Sequence, residues 1–167
     1  MRHTISLLVE NKPGVLSRVA GLFSGRGFNI ESLSVGETLD PKISRMTVIT
    51  TGDDTILEQI TKQLNKLINV IKVIDFKNND FVGRELILIK LSVTEETRSE
   101  LLSIIDIFRG KVVDVSAESY TVEITGDENK ISAILDLFRP MGIKEIARTG
   151  RAALNRGSKA RTTKTSP

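Results

Sequence analysis

The chain has 167 residues, 40% of them apolar, with no cysteine, no tryptophan and a single histidine, His3. That length suits one domain or two small ones with a buried core; the composition excludes disulfides, thiolate metal sites, a cysteine nucleophile and a histidine-rich metal site. The net charge of +3 belongs to the end of the chain, where Arg151, Arg156, Lys159, Arg161 and Lys164 stand without an acid and leave 19 cations against 21 acids in residues 1–149.

The elements read in order. An alternating strand at about 3–10, with Ile5, Leu7 and Val9 on one side, follows directly on the start, so neither a signal peptide nor a membrane span is expected. A helix at about 14–25 carries Val15, Val19, Leu22 and Phe23 on one face. Between them Asn11 is expected to cap the helix with its side-chain oxygen. Pro13 sits where a missing N–H costs nothing, and Gly14 leaves the backbone bare. Free amides at the positive end of a helix dipole make such a corner a seat for a carboxylate, or simply an ordinary strand-to-helix turn. Strands at about 28–36 and 44–51, a helix at about 54–67 and a strand at about 70–76 complete the first half.

The second half repeats this order. Glu85–Thr94 reads as a strand, and Leu101, Ile104, Ile105 and Phe108 mark a helix. Val112–Ser116 with Tyr120–Thr125 read as a hairpin, Ile131, Ile134, Leu135 and Phe138 as a helix, and Ile143–Arg148 as a strand. Thr51-Gly52-Asp53-Asp54 matches Thr125-Gly126-Asp127-Glu128, and Phe23-Ser24-Gly25-Arg26 resembles Phe108-Arg109-Gly110-Lys111. The wider spacing of the second match places an insertion in the turn-rich loop Gly36–Lys42. The expected class is therefore α+β, with two ferredoxin-like βαββαβ domains. The expected bounds are 1–77 for the first, 78–84 for a linker around Lys77-Asn78-Asn79-Asp80, 85–150 for the second, and 151–167 for a basic, flexible tail.

Catalytic patterns are missing. His3 has no serine or carboxylate at a telling spacing, no Walker-type or GxGxxG loop occurs, and the acids follow no metal-loop spacing. Ser24-Gly25-Arg26-Gly27 reads as a helix stop with a left-handed glycine. With Tyr120 the only tyrosine, the strands carry no aromatic platform for RNA. What remains is a small-molecule site. Asn11 and the amides near Gly14 suit a carboxylate. Asn29 suits an α-amino group or carboxylate, or only a turn. Val15, Leu16 and Ile30 suit apolar walls, or only the core.

Glu10-Asn11-Lys12-Pro13-Gly14-Val15-Leu16-Ser17-Arg18-Val19, Phe23, and Arg26-Gly27-Phe28-Asn29-Ile30-Glu31-Ser32-Leu33 strongly resemble the ACT domain of the acetolactate synthase (acetohydroxyacid synthase) small-subunit family. The likeness continues through Ser44-Arg45-Met46-Thr47, Glu58-Gln59-Ile60, Ile107-Phe108-Arg109-Gly110-Lys111-Val112-Val113-Asp114-Val115 and Glu145-Ile146-Ala147-Arg148-Thr149-Gly150. It covers residues 2 to about 157, and the Phe-Arg-Gly-Lys segment makes it specific to that family. The resemblance implies a regulatory subunit without a catalytic site or cofactor of its own. Its partner would be the large catalytic subunit, which carries thiamine diphosphate, magnesium and FAD. The small subunit would raise that enzyme's activity and confer feedback inhibition by valine, or by leucine or isoleucine. It further implies a homodimer through the ACT domain, with the effector between Asn11, Gly14, Val15 and Leu16 of one protomer and Asn29 and Ile30 of the other. No metal, nucleic acid or membrane partner is implied. Residues 158–167 match no family feature, plant forms carry the domain pair twice, and the chain lacks a transit peptide. A cytoplasmic bacterial protein, or an organelle-encoded one in the plastid stroma, is therefore expected. The competing readings are an ACT-type sensor for another enzyme, a stand-alone acylphosphatase-like enzyme, whose first loop would want an arginine where Lys12 stands, and a nucleic-acid binder using the basic tail.

Overall fold

A computed structural model describes residues 1–76 and 81–157. It contains nine strands and four α-helices in the described residues: β1 (Arg2–Glu10), α1 (Val15–Ser24), β2 (Ile30–Glu37), β3 (Ile43–Thr51), α2 (Asp54–Leu64), β4 (Val70–Asp75), β5 (Phe81–Ser92), α3 (Glu95–Ile107), β6 (Lys111–Val115), β7 (Ser119–Gly126), α4 (Glu128–Phe138), β8 (Ile143–Arg148) and β9 (Ala152–Asn155). The chain divides into two units, one of Met1–Val82 with the residues from Arg151 onward, the other of Gly83–Gly150. Among the described residues no helix is long and apolar enough to cross a membrane.

The first unit is a four-stranded sheet in the order β2-β3-β1-β4. β3 runs antiparallel to β1 and to β2, and β4 antiparallel to β1. Ile5, Leu7 and Val9 of β1, Met46 and Val48 of β3 and Val73 of β4 face Val15, Val19 and Phe23 of α1 and Leu57, Ile60 and Leu64 of α2 in one core. The second unit repeats the topology as β6-β7-β5-β8. Its core joins Ile87, Ile89 and Leu91 to Leu101, Ile105, Ile131, Ile134 and Phe138. Both units are ferredoxin-like. The matched Asp residues do the same work in each: Asp53 caps α2 by accepting from the Ile56 N–H at 2.8 Å, and Asp127 caps α4 by accepting from the Lys130 N–H at 2.9 Å.

Two expectations are corrected. Residues 81–84, assigned to a linker, begin β5; Phe81 stacks on Phe76 with ring centroids 4.9 Å apart, and this aromatic contact keeps Phe81 in the first unit. The linker residues 77–80 lie outside the described chain. Residues 151–155, assigned to the tail, are folded: Arg151 is only 9% exposed, and Ala153 packs with Ile74, Phe76 and Phe81 on the side of the first sheet that bears no helix. β9 pairs with β5. Thr4, Ser6, Thr47 and Ile49 on that same side are buried too, which an alternating strand with polar outer residues does not announce. Residues 158–167 of the tail lie outside the described chain. The helix stops also differ between the repeats. After α1 the left-handed residue is Gly27, at φ 71°, as expected. After α3 it is Arg109, at φ 54°, and the glycine beside it, Gly110, stands where a side chain would press on Ile105, Val122 and Ile124 at 3.1–3.3 Å.

Candidate functional site

The corner between β1 and α1 is built as the sequence expects, with one exchange of roles. Gly14 is the residue before the helix and takes φ 84°, a left-handed conformation in which a side chain is strained. No side chain caps α1 and no acid stands in its first turn. The positive helix end is therefore open to an anion. Asn11 does not cap the helix. It lies three residues ahead of Gly14, too early in the turn to reach the helix amides. Its side-chain amide donates instead to Glu37 Oε1 at 3.1 Å and to the Pro41 carbonyl at 2.9 Å, while its backbone N–H donates to the Lys42 carbonyl at 2.7 Å. Both side-chain partners are acceptors, which fixes the nitrogen on that side.

A second set of polar groups braces the corner. Asn69, just before β4, donates to Glu10 Oε2 at 2.6 Å, accepts from Arg18 Nη1, and offers its carbonyl to the Glu10 N–H at 2.9 Å. It thus ties the end of β1 to the first turns of α1. The Asn69 amide, then the Lys12 ammonium 3.1 Å away, holds the Glu10 carboxyl below its usual range. Glu37 and Asn69 carried no signal in the sequence, because their partners lie 26 and 59 residues off.

The remaining expected site residues fall in two places. Leu16 is half-exposed beside the corner, whereas Val15 is buried in the core. Ile30 packs partly against that core, and Asn29 is exposed, its backbone carbonyl accepting from Thr50 Oγ1 at 2.7 Å. Asn29 and Ile30 do not approach Asn11 in the same chain. In the register of β3, Ile43 pairs with Glu10 while Thr50 pairs with Ile30. Seven residues of strand at about 3.3 Å each separate the two ends by roughly 23 Å. One chain therefore holds two halves of the expected site at opposite ends of its sheet.

No group of three or more His, Asp or Glu side chains among the described residues is placed to hold a metal ion.

A ferredoxin-like sheet with an uncapped, glycine-led helix start at the end of its first strand defines the class: an ACT-domain protein with a second ferredoxin-like unit. The family model described as the AHAS small subunit-like ACT domain matches residues 5–72, and that described as the small subunit of acetolactate synthase matches residues 84–157. The chain belongs to the acetolactate synthase small-subunit family. It is 56% identical over 159 residues to a probable acetolactate synthase small subunit of Archaeoglobus fulgidus, covering 95% of this chain and 99% of that protein. It is 55% identical over 155 residues to the acetolactate synthase small subunit of Mycobacterium bovis, covering 93% and 92%. The crystal structure of the acetolactate synthase small subunit from Thermotoga maritima superposes with a TM-score of 0.85 at 44% identity, covering 95% of this chain and 99% of that one.

Proposed function

We propose that this chain is the sensor through which a branched-chain amino acid, valine first, inhibits acetolactate synthase. Membership of the family makes it a regulatory small subunit in branched-chain amino-acid biosynthesis. In this reading the large catalytic subunit supplies thiamine diphosphate, magnesium and FAD and condenses the 2-oxo acids. The present chain supports its turnover and withdraws that support when the effector binds.

The observation that carries the reading is the separation of the two half-sites. β2 is an edge strand of the first sheet. Antiparallel pairing of β2 with β2 of a second copy sets the Ile30 end of one strand against the Glu37 end of the other. Asn11 is bonded to Glu37. The same two-fold therefore carries Asn29 and Ile30 of one protomer toward Asn11, Gly14 and Leu16 of its partner, and does so twice. The effector carboxylate would take the open amides at Gly14 and the start of α1. The Asn11 amide nitrogen is engaged, so its carbonyl oxygen would accept from the effector ammonium. Ile30 and Leu16 would flank the aliphatic side chain, with Val15 backing Leu16 from the core. Valine, leucine and isoleucine differ there by a methylene or a branch, about 1–3 kcal/mol in an apolar pocket.

A mixed dimer tests the shared site. Gly14→Asp places a carboxylate on the anion seat, and Asn29→Ala empties the opposite half. Each variant homodimer should bind valine weakly or not at all. A heterodimer of the two has one site with both lesions and one with neither, so calorimetry should recover about half the wild-type stoichiometry at wild-type affinity. No recovery in the heterodimer would place both halves in one protomer.

A further inference from the structure

We propose that Arg151, which follows the whole second unit in the chain, is a positioning residue for the effector strand β2; the inference rests on the shared site just described. The pairing of β2 with β3 shifts register between Ile30 and Ser32. A bulge of this kind re-aims the side chains beside it, and here those are Asn29 and Ile30. The bulge is fixed on both flanks. Glu31, the inserted residue, is held by Arg2 Nε at 2.7 Å and by the Thr51 hydroxyl. Ser32, the residue after it, accepts from the Arg151 N–H at 3.3 Å.

Arg151 is itself anchored. Its guanidinium Nη1 donates to Thr4 Oγ1 at 3.4 Å, and both residues are buried. Two residues on, Ala153 is packed among Ile74, Phe76 and Phe81. Each of these residues belongs to the first unit. The two bonds are long, so neither fixes the strand alone; burial of the arginine and of Ala153 supplies the grip. A buried guanidinium persists only where its donors are met and its stem is packed, and loss of the side chain leaves a void and takes the guanidinium donor from the Thr4 hydroxyl, while the backbone N–H to Ser32 stays. The first unit is thus completed by residues encoded 119 positions after Ser32, and the aim of Asn29 depends on them.

The test uses the full chain in complex with its catalytic subunit. Valine affinity is read by calorimetry, valine inhibition and basal activation by turnover, and stability by thermal midpoint. Arg151→Gln and Ser32→Ala should each raise the valine dissociation constant about 3–10-fold, as expected for loss of one or two hydrogen bonds in a partly buried setting. Both should leave activation in place. Ser32→Thr keeps the acceptor and should stay within about twofold of wild type. If Arg151→Gln does not fold, the Ser32→Ala and Ser32→Thr pair, which differs by a hydroxyl-bearing group, decides the matter. Wild-type affinity in Ser32→Ala overturns the inference, because the arginine would then act by packing alone. A wild-type chain that binds no branched-chain amino acid overturns the shared site itself, and this inference with it.

Discussion

Gly14 shows how much a single residue can disclose. A glycine after a proline, at the point where a strand pattern becomes a helix pattern, announces a left-handed turn, and φ 84° is what the fold places there. Asn11 shows the limit. Its type suits a helix cap, but Glu37 and Pro41 offer acceptors 26 and 30 residues away, and no spacing rule reaches that far. Asn69 was silent for the same reason, yet it bridges Glu10 and Arg18 across the corner. Its amide is the main cause of the lowered Glu10 pKa. A carboxyl whose folded pKa lies below its unfolded value contributes stability above the unfolded value and loses it as pH falls through the folded one. In Asn69→Ala the Glu10 titration, followed by side-chain carboxyl NMR, should move up toward the ordinary glutamate value. The stability lost in the variant should be largest above the ordinary glutamate value and shrink as pH falls through the folded one, so the acid limb becomes shallower. An unmoved Glu10 titration would leave Lys12 as the group that sets it.

At the scale of elements, patterning was a good guide where a helix has a stripe and a cap. The four-residue motif repeated ahead of α2 and α4 supplies Asp53 and Asp127, and each caps its helix. Patterning failed where a strand is short and polar. β9 has four residues and carries one buried apolar side chain, Ala153, so period-two alternation has nothing to register. The ends of β5 and β8 are joined by Glu85, whose side chain is 8% exposed, and Arg148, with Nε to Oε1 at 2.7 Å and Nη2 to Oε2 at 2.8 Å. The Glu85 carboxylate raises the Arg148 pKa against the opposing effect of burial. Glu85→Gln keeps the shape and removes one charge-assisted contact, so it should lower the stability of the chain by about 1–3 kcal/mol, less if solvent at the half-exposed arginine screens the pair. Urea unfolding measures this, and an unchanged midpoint would make the pair ornamental.

For the whole molecule, the internal repeat and the family likeness were both readable, and both units have the expected topology. What could not be read was that the first unit closes with residues that follow the second in the chain, since no local rule links Arg151 to Thr4 and Ser32. The consequence is a sharp boundary for truncation. A chain ending at residue 157 should match the full chain in thermal midpoint and valine affinity. A chain ending at residue 150 exposes Ile74, Phe76 and Phe81, and should unfold at lower temperature and bind valine more weakly. Equal behaviour of the two truncated chains would return residues 151–157 to the status of a tail.

The central claim is regulation of acetolactate synthase by this chain, and reconstitution tests it most directly. Acetolactate formation from pyruvate is followed with this chain alone, with its catalytic subunit alone, and with both, each with and without valine. The account predicts no product from this chain alone, higher turnover in the mixture than in the catalytic subunit alone, and suppression of that gain by valine. A mixture no faster than the catalytic subunit, and indifferent to valine, leucine and isoleucine alike, would contradict it.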